Sequence, residues 1–205
     1  MGAGFLGILM LIIMWPVAAG SWVLVVVLHE FAHFAVAKLI DRNGTYLVSI
    51  GFGKQIASFS MWGSTVRLHA VPTSGEIRGL SNSRAWSLWE QVLGVSAGLL
   101  VNAVLALASF LLVHVYIVES AAAFSFTHFI SAPLMFWGGS RDYLDALPLS
   151  GGRLYTFGAV NALAMWVSII PFKVGSYMSD GCFIVHLVRA YFAAKKKQTQ
   201  ARMED

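Results

Sequence analysis

The stretch VVVLHEFAHFAVAKL at residues 25–39 decides how the chain is read. Its flanks are those of a membrane-crossing helix, yet His29, Glu30 and His33 sit near its middle. An ionisable group at the centre of a bilayer costs about 2.5–3.5 kcal/mol on insertion scales, so such residues need a use. His29 and His33 are four apart and project from one helix face, which suits two ligands of one metal ion. Glu30 is one position on, close enough to touch water at that metal. HExxH on a helix is the zinc-hydrolase pattern, two metal ligands and a general base. The bland alternative is three polar residues lining a helix–helix seam or an ion path.

The surrounding chain supports a membrane setting. Of 205 residues, 58% are hydrophobic and 12% charged, and soluble domains carry about twice that charged share. The formal net charge is +4, with basic residues gathered in the 38–84 connection and in KKKQTQAR at 195–202. That is the distribution of the positive-inside rule, so the bilayer is the expected partner and nucleic acid is not. The single cysteine, Cys182, excludes an internal disulfide. The start MGAGFLGILMLIIMW has no basic n-region and reads as the beginning of a span, not a cleaved signal peptide. Leu6 stands where a myristoylation signal would carry Ser or Thr.

Residues 4–40 are nearly all apolar. As one helix they would reach about 55 Å, against a hydrocarbon core of about 30 Å. Pro16 and AAGS at 18–21 predict a break into segments 4–18 and 21–40. Residues 41–90 change character: β-branched and aromatic runs punctuated by Gly51, Gly53 and Gly63 predict a β-rich insertion over 44–79, closed by PTSGEIRG at 72–79 as a loop. Residues 92–118 read as a long span, with small residues and Asn102 suited to close helix packing. Residues 121–138 are apolar but broken by Pro133, a span or a partly inserted segment. A polar connection with Gly151 and Gly152 leads to a span at 155–172, stopped by Pro171 and Gly175. A helix at 182–194 is too short to cross easily and runs into the basic tail at 195–205. The expected fold is mainly α: one polytopic, membrane-embedded domain over 1–205 with core segments 21–40, 92–118 and 155–181. It has about 4–6 membrane helices and a small β-hairpin or sheet between the first two core helices.

A zinc hydrolase of this kind needs a third protein ligand and one position left for water. The candidates are Asp180, Asp142, Asp145, His69, His114, His128 and His186, with Cys182 as a soft alternative. Position favours Asp180, which follows a broken span and adjoins Gly181. A helix break inside protein lets a side chain point inward at membrane depth. His69 and His186 read as surface or interfacial groups, and Cys182 as a small buried residue. The seven Trp and six Tyr suit interfacial belts.

With these residues the chain resembles the site-2 protease family of intramembrane zinc metalloproteases. HEFAH matches that family's first motif, and SAGLLVNAVLAL at 96–107 is similar to its small-residue-plus-Asn segment. SIIPFKVGSYMSDG at 168–181 resembles the form of the second motif that reads Asn-x-x-Pro, then Asp-Gly. GFGK and VPTSGEIRG resemble its β-hairpin and glycine-rich loop. The resemblance implies zinc held by His29, His33 and Asp180, Glu30 as the catalytic base, and a substrate-holding Asn before the Pro. Here Ser168 stands at that position and Asn161 lies two turns earlier; both are carried as substrate-binding candidates, with Asn102 as an active-site support. LPLSGGRL at 147–154 imitates the commoner Pro-Leu-Asp-Gly-Gly version with Ser150 for Asp, a poor zinc ligand, so 147–152 reads as a decoy loop. The connections are too short for an inserted PDZ domain.

The function expected is hydrolysis of peptide bonds in or near the membrane segments of anchored protein substrates. A regulatory membrane protein is a further candidate partner. The strands at 45–71 could hold an unwound substrate by edge addition. The expected location is multi-pass in a bacterial cytoplasmic membrane, with the basic loop and tail cytoplasmic. The competing class is a catalytically degenerate relative or a metal- or ion-handling membrane protein. A carrier should show acids or histidines on several spans, and those other than 21–40 are nearly bare of acids, with His114 the main exception.

Overall fold

The computed structural model describes residues 2–116, 149–174 and 177–204, with side chains described for 16–113, 153–173 and 178–200. Apolar residues fill the first helix, α1, over Gly2–Ile40. It is continuous, which corrects the expected break into 4–18 and 21–40. Pro16 removes one backbone donor, whereas breaking the chain in an apolar setting would strand several groups. The C-terminus of α1 is finished by Lys38, whose Nζ donates to the carbonyls of Arg42 and Gly44.

Two long strands follow, β1 (Thr45–Met61) and β2 (Ser64–Ser81), paired antiparallel. They turn at Trp62 and Gly63, both at positive φ, the geometry of a tight primed hairpin turn. Trp62 is held there by its ring against Phe34 at 5.5 Å and Phe31 at 5.6 Å. Leu47–Ile50 have partners on both sides, Thr65–Leu68 and Gly75–Arg78. The long strands can double back in this way because Gly51 and Gly53 sit near φ +85°. A Cβ on Gly51 would also meet the Val71 carbonyl at 2.6 Å. Residues 72–79, expected as a loop, are therefore part of β2. Pro72 falls in an irregular stretch between the Phe52–Val71 and Ile50–Gly75 pairs, where no ladder donor is needed.

The second helix, α2 (Leu88–Tyr116), begins four residues before the expected 92. Ser87 and Glu90 form a reciprocal cap: Ser87 N–H donates to Glu90 Oε2 at 2.8 Å, and Glu90 N–H donates to Ser87 Oγ at 3.3 Å. The third helix, α3, spans Leu149–Ile169. It starts ahead of the expected 155, so residues 149–152 of the proposed decoy loop are helical. Gly151 and Gly152 fall in its first turn, where backbone donors have no intrahelical partner in any case. It ends at Ile169, ahead of Pro171 and three residues short of the expected 172. Short strands β3 (Lys173–Val174) and β4 (Tyr177–Met178) pair and lead into α4, Asp180–Glu204. The short helix expected at 182–194 continues through the basic tail, because Lys, Gln, Ala, Arg and Met all favour helix.

Three apolar clusters join these elements. Val26, Phe34 and Ala37 of α1 pack on Tyr46, Val48, Ile50 and Val66 of the sheet. Ala106 and Phe110 of α2 meet Ala159 and Ala162 of α3. Val25 of α1 meets Val160 and Ala164 of α3. Among the described residues there are four helices, and two contain stretches long and apolar enough to cross a membrane, Pro16–Ile40 and Leu88–Val113. This is a coarser result than the four to six membrane helices expected. Leu100, Val104 and Trp89 of α2 and Leu24 and Leu39 of α1 are exposed, an apolar exterior that soluble monomers avoid. The segment 121–138, Asp142, Asp145 and His128 lie outside the described residues, as does the side chain of His114.

Candidate metal centre

His29 and His33 lie one turn apart on α1, with Nε2 atoms 3.1 Å from each other. Asp180 Oδ2 is 3.1 Å from His29 Nε2 and 3.5 Å from His33 Nε2. These three form the one group among the described residues whose ligand atoms could share a metal ion. Ideal tetrahedral zinc with ligand bonds of about 2.0–2.1 Å separates its ligand atoms by about 3.3 Å. The observed triangle has that size.

Protonation makes the fit more specific. His33 Nδ1 lies 2.7 Å from the Gly94 carbonyl. A carbonyl only accepts, so Nδ1 carries the proton and Nε2 presents a lone pair. That lone pair faces the Asp180 carboxylate oxygen at 3.5 Å, two acceptors that a cation between them would stabilise. The residues present therefore fit zinc.

Each of these three side chains is placed by local sequence. Gly98 of α2 lets the helix approach the imidazoles: a Cβ there would lie 2.5 Å from His29 Cε1 and Nε2 and from His33 Nε2. Asp180 opens α4, where a carboxylate suits the positive end of the helix dipole. Ser179 fixes that start. Its Oγ donates to the Ile170 carbonyl at 2.7 Å and accepts from Phe172 N–H at 3.1 Å and Cys182 N–H at 3.2 Å. This hydroxyl ties the end of α3 to the cap of α4. Gly181 packs so closely on the Ile169 carbonyl that no side chain fits.

Glu30 is buried and lines a recess with His29, Asn102, Thr73, Ser74 and Gly75. Trp22, Val25 and Val26 of α1 and Ala164, Val167 and Ser168 of α3 complete its walls. Gly75 of β2 lies directly on the Glu30 carboxyl, with no room for a Cβ.

The other sequence candidates fall in several places. Ser168 lines the recess, whereas Asn161 is not among its lining residues; Asn161 Nδ2 donates back to the Phe157 carbonyl of its own helix. Asn102 Nδ2 lies 2.9 Å from His29 Nδ1. His69, whose Nδ1 lies 3.0 Å from the Gly53 carbonyl, and His186, exposed on α4, are outside the metal group. Cys182 is buried, its Sγ 3.8 Å from His186 Nδ1. The sequence reading missed Ser179 and Gly75. Ser before Asp-Gly at a helix start is a capping signal that could have found the first. Nothing local announces the second.

The HExxH helix, the small-residue face of α2 that crosses it and the Asp-Gly start of α4 thus meet at one point. The profile of Peptidase family M50 matches residues 18–203. The chain belongs to that family, the site-2 proteases. No curated protein matches the chain.

Proposed function

We propose that the protein is an intramembrane zinc endopeptidase that cuts membrane-anchored proteins in or near their spanning segments. The observation that carries this reading is the convergence of His29, His33 and Asp180 within one metal's reach beside a buried carboxylate. When bound there, zinc supplies Lewis-acid activation of a water molecule and of a carbonyl. Glu30 takes the proton of the attacking water and returns it to the leaving amine. The recess holds the substrate against these groups. Its walls of Trp22, Val25, Val26, Ala164 and Val167 suit an apolar side chain, and Ser168 offers one hydroxyl where the family's second motif has an amide. A helical substrate hides its carbonyls and must unwind to react. Thr73 and Ser74 have no cross-strand partner in β1 and line the recess, so their backbone can receive an extended segment. We place the protein as a single multi-pass domain in a cytoplasmic membrane, with the hairpin and basic tail on the cytoplasmic side.

The test is Glu30→Gln in the purified, reconstituted protein. Cleavage of a membrane-anchored substrate should fall by about 10²–10⁴-fold, the usual contribution of a general base, while zinc content stays that of the parent. Retained cleavage would remove Glu30 from the mechanism.

A further inference from the structure

We propose that Asn102 is a positioning residue that holds His29 in its metal-binding tautomer by accepting Nδ1–H through its side-chain carbonyl. This rests on the zinc-site reading above. Asn102 is fully buried on α2, and its amide meets His29 Nδ1 at 2.9 Å. Its Oδ1 is buried with no hydrogen-bond partner. An amide nitrogen facing Nδ1 would require a bare Nδ1 and put the imidazole proton on Nε2. That proton would sit among His33 Nε2 and Asp180 Oδ2, in the place a metal needs. Turning the amide by half a rotation exchanges oxygen and nitrogen without changing shape. Oδ1 then accepts Nδ1–H, the orphaned oxygen gains a partner, and Nε2 presents its lone pair to the cluster.

The other histidine shows the same device. His33 Nδ1 meets the Gly94 carbonyl at 2.7 Å. Gly94, Gly98 and Asn102 are spaced by four along α2, so one helix face carries an acceptor for each imidazole and a gap for both rings. The small-residue stripe is thus a rack that sets two tautomers as well as a packing surface. Outer partners of metal-binding histidines raise ligand basicity and fix ring orientation.

The experiment is zinc affinity by competition with a chromophoric chelator, on the full chain in detergent. Asn102→Leu should weaken zinc binding by about 10–100-fold, the usual loss when such a partner is removed. Asn102→Asp keeps an oxygen that accepts the same proton and should bind within a few-fold of the parent. Asn102→Ala removes the acceptor without adding bulk, should show the leucine variant's loss, and covers the case in which leucine does not fold. Equal affinity in the parent and the alanine or leucine variant would overturn the role of Asn102 alone. So would equal losses in the aspartate and alanine variants, since aspartate keeps the shape and the accepting oxygen and only the amide N–H would then be left to matter. A parent that binds no zinc would overturn the metal-site reading and this inference with it.

Discussion

Gly98 shows how much a single absent side chain can control. The two imidazoles reach Asp180 only because α2 passes within contact of them, and a methyl group at Gly98 would occupy that contact. Overpacking of this kind costs typically about 1–3 kcal/mol, and about 1.4 kcal/mol is tenfold in an equilibrium constant. The rings can relieve the clash by rotating away from Asp180, so the loss falls on metal binding. Gly98→Ala should therefore lower zinc affinity by about 5- to 150-fold. Gly20→Ala, in α1 with open space around the added carbon, should leave it unchanged. Chelator competition on both variants measures this; a Gly98→Ala protein with parental affinity would show that the helix face gives way instead.

At the scale of elements, the junction of α1, the hairpin and α2 depends on Asp41. Its carboxylate accepts the backbone N–H of Gly44 at 3.0 Å and of Ser83 at 2.8 Å, together with the Ser83 hydroxyl. The Ser83 hydroxyl and these N–H groups hold its pKa below the ordinary value. A carboxylate lowered in the folded state contributes stability that is present above its unfolded pKa of about 3.9 and lost as pH falls through the folded value. Asp41→Asn should thus destabilise the protein at neutral pH and flatten the acid limb of its stability profile below about pH 4. Thermal unfolding of both forms across pH 2–7 reads this out; parallel acid limbs would remove Asp41 from the acid response. The sequence reveals these elements unevenly. His29, Glu30 and His33 are legible because a one-turn spacing is local, and Asp180 because a helix break precedes it. The strand at 72–79 is not, because Pro72, Gly75 and Gly79 mark a loop locally while their pairing with Tyr46–Ile50 is set about thirty residues away. The cap at Ser87 and Glu90 was readable as Ser-x-x-Glu and moves the start of α2 to Leu88. Asn102 is legible as a polar residue on an apolar helix, but its partner, His29, is known only from the packing.

For the whole molecule, the site itself constrains the topology. Gly94 meets His33 and Asn102 meets His29, so α2 runs antiparallel to α1 beside the candidate metal centre. His33 lies seven residues before the end of α1, about 10 Å below the hairpin side. Asp180 reaches the same depth, and Gly181 packs on the end of α3, so α3 finishes toward the hairpin side. The hairpin connection carries Lys54, Arg67, Arg78 and Arg84, and α4 carries Lys195, Lys196 and Lys197. Positive loops remain on the cytoplasmic face, and both basic groups meet that rule together only if they share a side. On a Cys182→Ser background, Lys54→Cys and Lys196→Cys should each resist a membrane-impermeant thiol reagent in intact cells and react once the membrane is opened. Labelling of one in intact cells and not the other would put the hairpin and the tail on opposite faces. The path of α4 from Asp180 to the basic tail would then cross the bilayer, and the two basic groups would not share a side.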